Sequence, residues 1–200
     1  MKAIIFATSE EAEPFLQGYR RGRFDGLTEG EVVHDDDLLV TITGTGKIKA
    51  ALRTERFLRA HRPSRIIHAG TCTTLVEKIP VGSLLAPNQV FEGDRIELAA
   101  PTYPRMPLLS MFEDLPSGTL VTQDHTVQGS DELSYWQRIA DVADMSGYAV
   151  AYVAATHGVP CAMVKAVSGR MGVDDADLRK TMTEANAAVA RFLISAIKGG

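Results

Sequence analysis

Short apolar runs recur along the chain, and most lead through a small polar loop into a stretch whose apolar residues fall at helical spacing. Residues 2–7 form the first such run, and Thr8-Ser9-Glu10-Glu11 supplies capping residues for a helix through Leu16. A small acidic turn at Asp35-Asp36-Asp37 precedes a second predicted strand at 38–42, which ends in Thr43-Gly44-Thr45-Gly46-Lys47. Ile48, Leu52, Phe57 and Leu58 then mark a helix through 48–60 that Arg62-Pro63 stops. Residues 66–70 predict a third strand entering a loop, Thr71-Cys72-Thr73-Thr74, and 81–86 a fourth. The stretch 92–117 has no clear period and reads as an irregular, partner-facing excursion. Strand 118–122, a short helix at 131–139, a strand end at 142–145 and a helix at 148–157 follow, the last stopped by Gly158 and Pro160. Residues 161–167 predict the last strand and 177–197 a long closing helix.

Strands alternating with helices, and apolar enough to be covered on both faces, indicate an α/β fold: a three-layer sandwich around a central, mostly parallel mixed sheet. Ligands in such folds sit at the carboxyl ends of the strands. That rule gathers 8–11, 43–47, 70–74, 122–127, 144–146 and 168–170 around one site. With 200 residues, 45% of them hydrophobic and 23% charged, the chain can bury one sizeable core, so a single domain over 1–200 is expected. No apolar run reaches the roughly 20 residues of a spanning helix, and the first run is too short for a signal peptide, which predicts a soluble, cytoplasmic protein without a membrane partner. Cys72 and Cys161 lack CxxC spacing and read as reduced, buried residues rather than zinc ligands or a disulfide. A net charge of -4, with arginines interleaved among acids, argues against nucleic-acid binding.

Several patterns carry candidate chemistry. The turn from Thr43 to Lys47 could cradle an anion, but it fits neither the dinucleotide nor the phosphate-loop pattern, so a tight strand-to-helix turn is preferred. Glu10, Glu11 and Glu13 stand where a carboxylate gains from the helix dipole and could alternatively hold a catalytic water. His125 is a candidate general base, although Asp124 beside it is badly placed to orient it within a strand. His34, His61, His68 and His157 read as surface or packing residues, without metal-ligand spacing. Ser146 lacks the flanking glycines of a hydrolase elbow, so an N-cap or a ligand-binding hydroxyl is the better reading.

Asp144-Met145-Ser146-Gly147-Tyr148-Ala149-Val150-Ala151, Gly158-Val159-Pro160 and Val164-Lys165-Ala166-Val167-Ser168-Gly169 together resemble the nucleoside phosphorylase and nucleosidase superfamily. The likeness is closest to methylthioadenosine/S-adenosylhomocysteine nucleosidases. Ser168-Gly169-Arg170-Met171-Gly172 adds a looser likeness to futalosine hydrolases. The first strand leading to Glu10-Glu11, the Thr43 to Lys47 turn, Gly70-Thr71 and Asp124 come in the same order. The resemblance implies hydrolysis of the N-glycosidic bond of a purine nucleoside through an oxocarbenium-like sugar, with no metal or organic cofactor and a homo-oligomer, a dimer first. It makes Glu11 the water-holding glutamate, with Glu10 one residue out of register. Thr45 and Thr71 fall in substrate-facing loops, Thr126 where an aromatic usually stacks on the base, Val127 where backbone reads the base edge, and Met145 against the ribose. Two carboxylates are replaced: the ribose-gripping glutamate by Ser146 and the proton-donating aspartate by Gly169. A lost general acid costs about 100- to 10,000-fold in rate. Three accounts stay open: a divergent nucleosidase whose acid is Asp174, Asp175 or His125, a nucleoside-binding protein without chemistry, and a nucleosidase altered at both positions to trap substrate. Phosphorolysis, using the Thr43 to Lys47 turn and Arg170, is a further alternative.

Overall fold

The computed structural model describes residues 1–19, 27–35, 37–94, 103–127, 129–171 and 177–198. Its elements run β1 (Lys2–Phe6), α1 (Ser9–Gly18), β2 (Val32–Asp35), β3 (Leu38–Ile42), α2 (Lys47–His61), β4 (Arg65–Thr74) and β5 (Leu84–Glu92). They continue through β6 (Arg105–Pro107), β7 (Ser117–Thr122), α3 (Gly129–Trp136), β8 (Val142–Asp144), α4 (Gly147–Thr156), β9 (Cys161–Arg170) and α5 (Leu178–Lys198).

The central strands are buried on both faces. In β1, Ala3 and Ile5 pack with α2 and α4, while Ile4 and Phe6 pack with α1 and α5. A strand with two covered faces reads as a continuous apolar run, which is why this one stood out in the sequence. A third cluster joins Leu75, Phe91, Val121 and Trp136 beneath α3.

The sheet departs from the three-layer sandwich. Helices do cover a mixed α/β sheet, but β4, β8, β7, β5 and β9 pair in a ring that closes back on β4. Parallel pairs (β1 with β3 and β4, β4 with β9, β7 with β5 and β8) are joined by antiparallel ones. The cause lies in two long strands, β4 of 10 residues and β5 of 9, whose ladders shift between Cys72 and Thr73 and between Pro87 and Gln89. At such irregularities a strand bends and exchanges neighbours. β9 pairs along β4 and takes Leu84 and Leu85 of β5 on its other edge.

Local expectations are corrected in the same way. Thr71 to Thr74 and Ser168 to Arg170 are strand, not loop, because β4 and β9 stay paired to their ends. β2, too short and polar to show a period, forms a hairpin edge on β3. β6 adds a short strand within the excursion, and residues 81–83 form a turn ahead of β5. On α2 the buried residues are Ala50, Thr54, Phe57 and Leu58, whereas Ile48 and Leu52 are exposed. Two residues along a helix is about 200° around it, so Ile48 and Leu52 lie opposite Ala50.

Candidate active site

A cavity of ≈ 640 Å³ opens at the carboxyl ends of β1, β4 and β8, between the start of α1 and the first turns of α5. Glu11, Thr45, Thr71, Thr126, Met145 and Ser146 line it. Val127 and Gly169 lie outside that lining. Val127 is buried against the cluster of Phe91 and Trp136. At Gly169 a Cβ would meet Leu178 Cδ1 at 3.2 Å, so the α5 side chain occupies the space where a residue at 169 would project. Asp174 and Asp175 fall outside the described residues.

Glu11 is fixed from two directions. Thr8 and Glu11 form a capping box at the start of α1: Thr8 Oγ1 accepts from Glu11 N at 3.2 Å, and Glu11 Oε2 accepts from Thr8 N at 3.3 Å. The same oxygen accepts from Ala7 N at 3.1 Å, and Oε1 accepts from Thr71 N at 2.7 Å and Thr71 Oγ1 at 2.9 Å. Capping and site geometry are therefore not alternatives, since one carboxylate does both. These four donors fill the lone-pair sites of a carboxylate, so a water reaches Glu11 only by displacing one of them. Glycine is required at position 70, where a Cβ would stand 2.5 Å from Glu11 Oε1. Pro14 has no N–H to give the Glu10 carbonyl one turn earlier, and Asn186 Nδ2 of α5 donates to that oxygen at 3.1 Å.

Beneath the cavity lies a cluster that the sequence reading missed. Asp144 ends β8, and its carboxylate accepts from the Ser146 and Gly147 amides at the start of α4 and from Thr122 Oγ1 at 2.6 Å. Lys165 of β9, 1% exposed, reaches Asp144 Oδ2 at 2.8 Å. His68 of β4 donates from Nδ1 to the Ile5 carbonyl at 3.0 Å, so its bare Nε2 faces the Ser146 hydroxyl at 3.0 Å and the Lys165 ammonium at 3.1 Å. Burial, then the Lys165 charge, push the imidazole below its ordinary value, which keeps it neutral. Burial opposes charge on Asp144, but Lys165 outweighs it and holds the carboxyl well below the usual range. Burial likewise opposes charge on Lys165, and Asp144 followed by Glu11 reverses the effect and raises it. Ser146 occupies the N-cap position without capping; its hydroxyl belongs to His68. His68 is a buried polar partner, not a packing residue. The available signal was Lys165, a cation at an inward position of an apolar strand, which demands a buried counter-charge.

The cations of the Thr43 to Lys47 turn and its surroundings, and Arg170, are paired. The Thr43 to Lys47 turn has Gly44 and Gly46 at positive φ. Its first helical amide, Lys47 N, is taken by Asp124 Oδ1 at 2.8 Å. Lys47 Nζ bonds Glu92 and Asp94, Arg53 bonds Glu29 at 2.6 Å, and Arg170 bonds Glu77 at 2.9 Å. His125, which lines the cavity, lies between Asp94 Oδ1 at 3.1 Å from Nδ1 and Glu132 Oε1 at 2.9 Å from Nε2. Its partners are thus these two carboxylates, not Asp124. Cys72 and Cys161 are buried free thiols, and burial pushes Cys161 up to about 12. Among the described residues no group of His, Cys, Asp and Glu is arranged to hold a metal ion.

A mixed α/β fold with a self-closing sheet, and a cavity bearing carboxylates where strands end and helices begin, defines a small-molecule site. The chain belongs to the phosphorylase superfamily, whose pattern it matches over residues 2–198. It is 22% identical to the aminodeoxyfutalosine nucleosidase of Helicobacter pylori over 209 residues, 90% of this chain and 88% of that protein. Among solved structures, the 5'-methylthioadenosine/S-adenosylhomocysteine nucleosidase of H. pylori with butyl-thio-DADMe-Immucillin-A superimposes with a TM-score of 0.82 at 20% identity, covering 100% of this chain and 98% of that one. A futalosine hydrolase mutant of H. pylori gives 0.83 at 19% identity, covering 100% and 99%. At these identities the structural likeness is one of fold.

Proposed function

We propose that this chain is a nucleosidase that hydrolyses the N-glycosidic bond of a purine nucleoside of the methylthioadenosine, adenosylhomocysteine or futalosine kind. The observation that carries the reading is the Glu11 carboxylate, held in the cavity wall by Thr8 and Thr71, while the cations at the Thr43 to Lys47 turn and at Arg170 are each held by a carboxylate. A carboxylate there stabilises a cationic sugar, and cations already paired leave water favoured over phosphate as the nucleophile. Rotation of the Thr71 hydroxyl off Glu11 Oε1 opens one acceptor site for that water, while the Thr71 amide keeps the carboxylate in place. Ser146 and Met145 lie where the sugar would rest, Thr45 and Thr126 beside the base.

Purified protein is incubated with methylthioadenosine, adenosylhomocysteine, inosine and futalosine, with and without phosphate, and free base is followed chromatographically. Release from at least one substrate, independent of phosphate, is the expected result. Calorimetric binding without release would make the chain a nucleoside-binding protein, and release only with phosphate would make it a phosphorylase. A homodimer is the assembly we propose; Ile48 at 82% exposure, Leu52 and Tyr152 on the packed helices α2 and α4 supply apolar surface for it, and light scattering tests it. Among the described residues no helix is long and apolar enough to cross a membrane.

A further inference from the structure

Hydrolysis of a nucleoside leaves the base with the electron pair of the broken bond, and a proton must meet it. Among the described residues the cavity wall holds few groups that could deliver one, the exposed Glu10 carboxyl and His125 foremost. Glu11 is an acceptor at both oxygens, Asp144 is held ionised against Lys165, and the Arg179 guanidinium has no transferable proton. We propose that His125 is the proton donor to the leaving base, an inference that rests on the nucleosidase reading above.

The geometry favours the charged ring. A carboxylate oxygen lies within hydrogen-bond reach of each nitrogen, Asp94 at 3.1 Å from Nδ1 and Glu132 at 2.9 Å from Nε2, and the imidazolium satisfies both, while the Gln123 amide, 3.4 Å from Nε2, donates to Glu132 Oε1. Glu132 first, then Asp94, raise His125 above its ordinary value against a smaller opposing effect of burial. The neighbouring charges are Lys47 from α2, which bonds Asp94, and the adjoining Asp124, whose amide donates to Asp94 Oδ2 at 2.8 Å.

The ring is also free to leave Glu132. Oε1 of Glu132 accepts from Trp136 Nε1 at 3.2 Å and Gln123 Nε2 at 3.4 Å, so it stays satisfied when His125 turns away. Asp94 keeps Lys47 and the Asp124 amide, and continues to hold Nδ1–H. His125 stands at the end of β7 outside regular structure, with its side chain 47% exposed, and swings on its own torsions. In the step itself the C1′–N bond breaks, its electron pair goes to the base nitrogen, and that nitrogen takes the proton from His125 Nε2. Water supplies a hydroxyl to C1′, its remaining proton passes to solvent, and solvent recharges the imidazole.

The test compares wild type and His125→Gln on the best nucleoside and on 4-nitrophenyl riboside, whose leaving group departs without a proton. The expected result is a fall of about 100-fold or more in kcat/KM on the nucleoside and under about tenfold on the nitrophenyl riboside. The wild-type profile on the nucleoside falls as pH rises through a value above 6.5, and this limb is absent in His125→Gln. Glu132→Gln moves the same limb to lower pH. Thermal melting and nucleoside calorimetry verify that His125→Gln is folded and binds. Equal losses on both substrates, or an unchanged pH limb, overturn the role of His125 while leaving the nucleosidase reading intact. Wild type inactive on both substrates removes the nucleosidase reading, and the role of His125 with it.

Discussion

Lys165→Met keeps the length of the side chain and removes the charge that Asp144 faces at 2.8 Å. The two side chains are 2% and 4% exposed. Their attraction at that distance is about 6 kcal/mol for an effective dielectric constant of about 20, largely offset by the cost of desolvating both ions. Removing one partner leaves the other charge buried, at a cost of about 3–5 kcal/mol. Asp144 keeps Thr122 and two backbone amides, which puts the loss near 3 kcal/mol. The pH dependence follows from the directions of the shifts. Asp144 is depressed, so its contribution is present above the unfolded carboxyl value of about 3.9 and is lost as pH falls through the folded one. Lys165 is raised, so its contribution is present below about 10.4 and is lost as pH rises through the folded value. The pair therefore leaves wild-type stability flat between about pH 4 and 10. In Lys165→Met burial acts on Asp144 without its largest opponent, its carboxyl rises, and the deficit shrinks as pH is lowered from 7 towards 5. Urea unfolding across that range measures it. Adding Asp144→Asn removes the stranded charge and offers an amide to His68 Nε2, which lies 3.8 Å from Oδ2 in the wild type, so the double variant is expected to be more stable than Lys165→Met. A loss under about 1 kcal/mol at pH 7, or a double variant less stable than the single one, refutes the reasoning.

Gly70→Ala forces a Cβ to within 2.7 Å of three atoms of the Glu11 carboxylate. Loosening its four hydrogen bonds is expected to cost about 2–4 kcal/mol by thermal melting, together with most of the turnover. Asn186→Leu uncovers the Glu10 carbonyl and is expected to cost about 1 kcal/mol. Pro14→Ala restores the helical donor to that carbonyl, so urea midpoints should show the Asn186→Leu loss largely recovered in the double variant. Gly169→Asp is tolerated because Leu178, 43% exposed, can move aside. In the His125→Gln background it is expected to return part of the nucleoside turnover, and base release reports the outcome.

The sequence carried most of the elements, because strands covered on both faces and helices with an apolar stripe leave a period that survives without partners. The closure of the sheet was hidden. It depends on ladder shifts at Cys72/Thr73 and Pro87/Gln89, which have no local signature. Glu11 and Thr71 were visible because a capping pattern and a strand end occur at fixed places in an α/β unit. The union of Thr71 with the Glu11 carboxylate, across 60 positions of chain, was not. Asp144, Lys165 and His68 sit on three strands and meet only once β4 lies between β8 and β9. His125 was picked out as a residue, but its partners came from just beyond β5 and from α3 and not from its neighbour Asp124.

Ser146 is best understood from that cluster. The floor of the cavity holds one buried anion, Asp144, one buried cation, Lys165, and a neutral His68, so its charges balance. A glutamate at 146 would place a second carboxylate two residues from Asp144, with Lys165 already committed and Glu11 nearby. Either that carboxylate would pull Lys165 away from Asp144, or it would stand buried without a counter-charge; both outcomes cost several kcal/mol. A serine adds no charge, fills the bare nitrogen of His68, and can release its hydroxyl to a sugar while Lys165 keeps the imidazole satisfied. Ser146→Glu alone should therefore lower stability more than it strengthens nucleoside binding, unless Lys165 is given a second acid to serve.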